Sequence, residues 1–500
     1  MRWLAHDLKF ENRLTSKMNP VQRLFSNTTL AFSARIVAKS GDVLLFIIVA
    51  RYLGPEDAGI FRLGKTYLTL MLAFSALGLD ELLVREVTPR YHDSNRYLVN
   101  FLGLRILLST ITYGLLATAV LSLPITPTAQ ATTVILIYTL ALFTESVFLV
   151  LETIFIAYER LLVPSIASAV NGGVKLIGGV MILNYTQNII ATTWIIPIGS
   201  ALSVLIFVPA TIHLYRLFPQ QRAAQLDWHF SMTQLKKVPG FMMIGIFYNL
   251  NAQQDIILVS IYLTETQLGF YGAAQAILTG ALMLSAAVRT TIYPVMTRYH
   301  NQKPEGLPHL YHKLYQYLAI GIVPVTLLIC LLSTSIVTIV FTDKYALAAP
   351  VLQIMIWELL FIFLHIPNAR LMLVNNRQGQ LGWITGLSMI LNLILNIWLL
   401  PRYGLNSAAL IRTLTAVFVF LATYYYVRNR LLRYNLWKTM MRPILAAIAM
   451  AIVVWPMRHW LIIWPLLAGG GVYVILILLL GGFTSEDQRY LRQLLSRHKT

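Results

Sequence analysis

Three charged side chains stand within one apolar stretch near the start of the chain. Arg35, Lys39 and Asp42 fall inside residues 27–50, a run long enough to cross a hydrocarbon core about 30 Å thick. Their spacing places all three on one face of a helix. A charge that faces lipid costs roughly 2.5–3.5 kcal/mol, so this face is predicted to point toward protein or a water-filled cavity.

Further charges within the apolar segments allow two interpretations. In the first, five cations line a cavity for an anionic substrate: Arg35, Lys39, Arg105, Lys175 and Arg289. In the second, the same cations pair with acids and hold helices together, with Asp42 neutralising Lys39. Four acids are candidates for coupling transport to an ion: Asp42, Glu145, Glu152 and Asp255. Arginine suits bidentate contact with phosphate, but formal charge alone does not choose between the interpretations.

The composition is that of an integral membrane protein. The 500 residues are 57% hydrophobic and 12% charged, whereas soluble domains carry about 25% charged residues. The net charge of +19 comes largely from short connections, where basic residues set topology and contact anionic lipid, so no nucleic-acid partner is predicted. Because Cys330 is the single cysteine, the chain can form no internal disulfide, and neither a metal nor any other cofactor is predicted.

The apolar segments predict an all-α polytopic membrane protein with about 14 transmembrane helices. Lys and Arg concentrate in alternate connections, which places both termini in the cytoplasm. The outward connections carry few basic residues: Arg51, Lys344, Arg402 and Arg458. The predicted organisation is a cytoplasmic basic N-terminal segment (1–26), an N-lobe of six helices (27–214), a cytoplasmic linker (215–236), a C-lobe of six helices (237–427), two C-terminal helices (428–482) and a cytoplasmic tail (483–500).

An internal repeat supports the two pseudo-symmetric lobes. The pattern YLxxxxxG at 52–59 recurs at 262–269, and an aromatic residue follows each copy, as Phe61 and Tyr271. The separation spans an even number of predicted helices, so both copies run in the same direction. Transporters with parallel repeats bind substrate between two related lobes.

The opening of the chain resembles that of bacterial polysaccharide flippases. These are the O-antigen and exopolysaccharide translocases of the multidrug/oligosaccharidyl-lipid/polysaccharide exporter superfamily. The resemblance rests on RYLGPEDAGIF at 51–61, LGL at 77–79 and Arg85-Glu86. It implies a cationic cavity that moves an undecaprenyl-pyrophosphate-linked oligosaccharide across the bacterial plasma (inner) membrane. Lipid-linked oligosaccharide and membrane lipid are then the partners, a polysaccharide polymerase and glycosyltransferases are candidate partners, and no enzymatic activity is expected.

Other functions predict different features. A cation-coupled multidrug exporter of the same superfamily should have a net acidic, aromatic cavity. A peptidoglycan lipid-precursor flippase should carry its own opening motif, which we do not recognise here. A membrane glycosyltransferase needs acidic residues in a large outward loop, and the connections are too short to provide one. In a non-transporting scaffold, neutralising the intramembrane cations should leave function intact.

Overall fold

The computed structural model describes residues 40–123, 128–217 and 225–482, and all regular elements in these ranges are helical. The chain divides into two compact units after Gly272, within a long helix. In the first part of the chain the helices are α1 (40–53), α2 (Pro55–Ala76), α3 (Leu79–Val87), α4 (Ser94–Ser122), α5 (Ala129–Ala157), α6 (Leu162–Thr186), α7 (Ile189–Thr193), α8 (Ile195–Leu217), α9 (Trp228–Leu235) and α10 (Pro239–Tyr262).

The unit boundary lies within α11. The remaining helices are α11 (Glu265–Gln302), α12 (Leu307–Leu331), α13 (Ser333–Phe341), α14 (Ala348–Met355), α15 (Trp357–Val374), α16 (Gln378–Tyr403), α17 (Leu405–Arg430), α18 (Leu436–Met457) and α19 (Ile463–Leu479). Helix α10, which the sequence assigns to the C-lobe, packs against α2 of the first unit. The division into lobes at 215–236 therefore stays a prediction.

The all-helical fold class is confirmed, but the count of 14 spans is not. Ten helices of the described residues are long and apolar enough to cross a membrane, or eleven if α2 and α3, bent by 45°, form one span. Three predicted spans account for the difference. The first begins outside the described residues, α10 carries polar residues in its middle, and α19 has only 17 residues.

The YLG motif marks a helix stop and restart. Helix α1 ends at Leu53, and Gly54 adopts φ +93°, a backbone conformation that favours glycine. Pro55 then occupies the first turn of α2, where backbone N–H groups have no partner within the helix. The missing N–H of proline therefore removes no hydrogen bond. The motif thus turns the chain sharply between two helices.

The repeated glycines of the two motif copies lie against each other. A Cβ on Gly59 would overlap the carbonyl oxygen of Glu265, and a Cβ on Gly269 would overlap the carbonyl oxygen of Pro55. Pro55 and Glu265 occupy matching positions of the repeat, as do the two glycines. The contact between α2 and the start of α11 is therefore reciprocal, and it brings two helix backbones together as closely as small residues permit.

An apolar core in the first unit holds α3, α4, α5 and α8 together. Phe207 of α8 contacts Phe148 and Phe155 of α5, with ring centroids 5.1 and 5.6 Å apart. Leu82 and Phe101 extend this buried cluster onto α3 and α4. Burial of these side chains sets the spacing of the helices that carry the charged residues of this unit.

A polar network orders α15 in the second unit. The Oδ1 atom of Asn368 accepts hydrogen bonds from the hydroxyls of Tyr311 (2.5 Å) and Tyr315 (2.7 Å), both on α12. Its amide donates to Thr423 Oγ1 of α17 at 3.4 Å. All four side chains are buried, so the network fixes the rotation of α15 and hence the direction of its neighbouring polar residues.

The segment around α9 is fixed to the start of α4. Asp227 caps α9 by accepting from the Phe230 N–H at 2.9 Å, and it accepts from Arg96 Nη2 at 2.8 Å. The Phe230 amide and then the Arg96 guanidinium hold the pKa of Asp227 below its ordinary value. The Oδ1 atom of Asn100 accepts from the Asp227 N–H at 2.7 Å and from Ser231 Oγ at 3.1 Å. This part of the predicted linker is therefore ordered.

We expect Gly59→Ala and Gly269→Ala each to destabilise the protein by about 1–3 kcal/mol or more, because the added methyl group meets a backbone carbonyl that cannot move aside. The measurement is thermal unfolding of purified variants in detergent. Gly280→Ala on the same helix α11 is the matched control, since a Cβ there meets no atom within 4 Å. Equal melting temperatures for Gly59→Ala and Gly280→Ala would contradict the close contact.

Candidate functional site

Two of the five predicted cavity cations, Arg35 and Lys39, lie outside the described residues. Arg105 on α4 is fully buried, and its Nη2 donates to both carboxylate oxygens of Asp80 on α3, at 2.9 and 2.8 Å. This geometry favours the structural interpretation for Arg105, because the guanidinium has no accessible surface to offer a substrate.

Lys175 is also paired with a carboxylate. Its Nζ donates to Glu145 Oε1 at 3.0 Å, and the amide of Asn171 donates to the same oxygen at 3.3 Å. The Lys175 side chain keeps 9% of its surface accessible and that of Glu145 keeps 16%. The pair therefore joins α6 to α5 with little contact with solvent.

A partly accessible charge pair in the first unit joins Asp42 of α1 to Lys65 of α2. The Lys65 Nζ donates to Asp42 Oδ2 at 2.8 Å. Although Lys65 lies in the middle of α2, its side chain is 31% accessible and that of Asp42 is 36% accessible. The sequence places Lys65 within a predicted span, but only Asp42 was predicted as a site residue. The two residues are 23 positions apart in the sequence, and they meet only because α1 and α2 pack side by side.

The Asp42–Lys65 and Glu145–Lys175 pairs belong to one larger group. Asp42 interacts electrostatically with Arg62 and Lys175 as well as with Lys65. Tyr138 of α5 is close enough to interact with Asp42, Arg62 and Glu145. We call these five charged residues the mixed-charge cluster: Asp42, Arg62, Lys65, Glu145 and Lys175. It contains three cations and two carboxylates, so it has an excess of positive charge.

The coupling candidates Glu152 and Asp255 lie outside the mixed-charge cluster. Glu152 is partly buried on α5, and Asp255 is almost completely buried on α10. Both interact with neighbouring groups. Among the described residues, no set of three or more His, Cys, Asp or Glu side chains is arranged to hold a metal ion.

The second unit contains two arginines with a different environment. Arg289 of α11 donates from Nη2 to Ser285 Oγ at 2.6 Å and from Nε to the Ser285 carbonyl at 3.4 Å. Arg370 of α15 lies over the ring of Tyr293, with its Cζ 5.6 Å from the centroid. We call Arg289 and Arg370 the arginine pair. The sequence places Arg370 within a predicted span, but only Arg289 was predicted to line the cavity.

Two helices of the second unit are joined by an ordinary buried ion pair. Arg412 of α17 contacts both carboxylate oxygens of Glu358 on α15, at 2.5 and 3.2 Å. Neither member of the arginine pair has such a partner among the residues that the structure describes. The arginine pair therefore differs from Arg412 in lacking a neutralising carboxylate.

Comparison with known proteins assigns the chain to a family. Residues 48–350 match the family described as "Polysaccharide biosynthesis protein". A 178-residue segment is 27% identical to the probable low-salt glycan biosynthesis flippase Agl15 of Haloferax volcanii, covering 34% of this chain and 36% of that protein. A 131-residue segment is 28% identical to an uncharacterized membrane protein of Methanocaldococcus jannaschii, covering 26% of each chain. The chain thus matches only about a third and a quarter of the length of these relatives.

Solved structures show the same fold at low sequence identity. The inward closed conformation of the lipid II flippase MurJ superposes with a TM-score of 0.76 at 16% identity, covering 91% of this chain and 99% of MurJ. An inward-facing multidrug resistance MATE family transporter of the MOP superfamily gives a TM-score of 0.61 at 12% identity, covering 79% and 94% of the two chains. This chain is therefore a multi-pass membrane protein that belongs to the polysaccharide biosynthesis protein family and has the fold of the MOP flippases and transporters.

Proposed function

We propose that the protein is a flippase that moves an undecaprenyl-pyrophosphate-linked oligosaccharide across the bacterial plasma membrane by alternating access. The observation that carries this proposal is the mixed-charge cluster, which is embedded among membrane helices, partly accessible and positively charged in sum. Membership of a polysaccharide biosynthesis family and the similarity to a glycan biosynthesis flippase support it.

The accessible surface of Asp42 and Lys65 supports a water-filled cavity beside them. About a third of each side chain is accessible, although both residues lie within predicted spans. Exposure of these charges to lipid would cost roughly 2.5–3.5 kcal/mol for each residue, so water or a polar ligand must occupy the space beside them. A cavity of this kind can receive a hydrophilic headgroup inside the membrane.

The chemistry of the cargo fits an excess of cations. A diphosphate with attached sugars is strongly hydrated, and its charge cannot enter hydrocarbon without compensation. Arg62, Lys65 and Lys175 offer this compensation while the isoprenoid tail stays in the bilayer. Asp42 and Glu145 hold two of these cations in place. An arriving phosphate then competes with the carboxylates for them.

The transport step makes and breaks no covalent bond, so the proposal includes no catalytic residue. Its energy source is an ion gradient or the membrane potential, with four candidate coupling acids: Asp42, Glu145, Glu152 and Asp255. The proposed location is the plasma membrane with both termini in the cytoplasm, as the charge bias of the connections predicts. A polysaccharide polymerase and glycosyltransferases remain the candidate protein partners.

Two alternatives share the fold. The MATE-type fold also suits a cation-coupled multidrug exporter, but a site with more cations than carboxylates disfavours cationic drugs. The likeness to the lipid II flippase MurJ keeps a peptidoglycan-precursor flippase as the second alternative. A transport assay that offers each of the three substrates in turn separates the three functions.

In a reconstituted system, we expect the protein to expose an undecaprenyl-diphosphate-linked sugar to the outside of vesicles. The assay adds a membrane-impermeant glycosyltransferase that extends sugars on the outer leaflet and measures the labelled fraction over time. Protein-containing vesicles should label more lipid than the outward-facing fraction present at the start. Transfer of a cationic dye without transfer of the sugar lipid would favour the exporter, and preferential transfer of a peptidoglycan precursor would favour the second alternative.

We expect Lys65→Gln to reduce this transfer at least about tenfold, because one charge-assisted contact to phosphate contributes more than about 1.4 kcal/mol. Arg96→Gln is the matched control. It also removes the cation of a partly exposed pair with a 2.8 Å contact to a carboxylate, but Arg96 lies at the start of α4 beside α9. Equal rates of sugar-lipid transfer for Lys65→Gln and the unmodified protein would show that the mixed-charge cluster takes no part in transport.

A further inference from the structure

Helix α16 turns polar side chains inward and apolar side chains outward. Ser388, Asn392 and Asn396 follow one another at four-residue spacing, and all three are buried. Ser388 Oγ donates to the Thr415 carbonyl of α17, and Asn392 Nδ2 donates to Thr415 Oγ1, each at 3.5 Å. Asn396 Nδ2 donates to Asn392 Oδ1 at 3.0 Å. An apolar outer surface is costly in water and favourable in hydrocarbon, so this surface of α16 is directed toward lipid.

The outer surface of α16 carries an apolar stripe that begins and ends with a tryptophan. Trp383 is 82% accessible and Trp398 is 57% accessible. Between them, exposed apolar side chains recur every three or four positions, which keeps them on one face of the helix. They are Leu387, Ile390, Ile394 and Ile397. We call this face, with its two tryptophans, the α16 stripe.

Helix α18 has the same arrangement. Trp437 is 67% accessible and Trp455 is 56% accessible. The exposed apolar side chains between them share one helix face: Met441, Leu445, Ile448 and Ile452. We call this face the α18 stripe. Because tryptophan collects at the two membrane–water interfaces, the end residues of each stripe mark where the hydrocarbon begins and ends.

An arginine lies over the second tryptophan of each stripe. The Cζ atom of Arg402 is 5.3 Å from the ring centroid of Trp398, and that of Arg458 is 4.2 Å from the ring centroid of Trp455. A guanidinium stays in water or among lipid headgroups, because its charge is costly in hydrocarbon. Each of these rings is therefore held at the interface by a cation that cannot move deeper.

The two stripes are short for a membrane. A helix rises about 1.5 Å per residue, so the α16 stripe extends over about 22 Å and the α18 stripe over about 27 Å. Helix α19, which packs against α18, has 17 residues, which corresponds to about 25 Å. Tilt only shortens these lengths along the membrane normal. The hydrocarbon core of a typical bilayer is thicker, at about 30 Å.

We propose that the second unit is matched to a hydrocarbon core of about 22–27 Å and thins a thicker bilayer around α16, α18 and α19. A thicker bilayer would draw Arg402 and Arg458 into hydrocarbon, and lipids avoid this cost by shortening locally. The partner of the two stripes is therefore a phospholipid with short acyl chains. This inference does not depend on what the chain transports.

The test measures the relative binding of phosphatidylcholines that differ only in acyl-chain length, from myristoleoyl to erucoyl. The purified full chain is reconstituted in each lipid mixed with brominated dioleoyl phosphatidylcholine, which quenches the fluorescence of tryptophans that it contacts. A better-matched lipid displaces the brominated lipid and restores fluorescence. Binding should be strongest for a chain shorter than oleoyl and should fall at least about twofold toward erucoyl.

Combining Trp398→Leu with Arg402→Leu lengthens the α16 stripe. The next side chain suited to the interface is Tyr403, which lies about 8 Å further along the helix than position 398. This double variant should lose part of the preference for short chains, and its optimum should move toward oleoyl. Trp228→Leu is the matched control, because it removes a tryptophan that is 46% accessible but lies on α9, outside both stripes. Melting curves in lipid establish that each variant is folded.

The proposal is overturned if the unmodified protein binds oleoyl or longer chains most strongly, or does not distinguish chain lengths. It is also overturned if the folded double variant keeps the optimum of the unmodified protein. The amplitude of quenching should fall when Trp398 is removed. An unchanged amplitude would show that a second copy of the chain, rather than lipid, covers the α16 stripe, and this result also overturns the proposal.

Discussion

The free-energy cost of placing charge in hydrocarbon governs the arrangement of this protein. Each cation within the spans must find a carboxylate, water or a ligand, because lipid offers no compensation. Arg105 and Arg412 meet this requirement through two-point contacts with carboxylates. Lys65 meets it through Asp42 and an open side that must be polar. The pairing of charges therefore distinguishes a fully buried cation such as Arg105 from a cation such as Lys65 that keeps accessible surface.

Helix type and membrane class could be predicted from the sequence because both depend on local properties. Runs of apolar residues bounded by glycine, proline and charged residues give the helices directly. The number of spans is harder to predict where polar residues interrupt an apolar helix, as in α10, or where the helix is short, as in α19. The bend between α2 and α3 changes the count by one, because these two helices pass the test of length and composition only together.

The partners of individual charges could not be predicted from the sequence. Asp80 and Arg105 lie on neighbouring helices, and only the packing of the core between α3 and α4 brings them together. The prediction of a cationic first lobe counted formal charges, and in the structure Arg105 and Lys175 are largely compensated. Arg370 was visible as a charge, but its lack of a carboxylate depends on long-range contacts. Charge balance in a membrane protein is thus a tertiary property.

The reciprocal contact of Gly59 and Gly269 makes each copy of the repeated motif part of the surroundings of the other. Each glycine faces the residue four positions before the other glycine. The two contacts are therefore equivalent, as they are in the interface of a two-fold symmetric dimer. A larger side chain at either glycine would separate the same two helix backbones, so the two copies of the motif depend on each other for this contact.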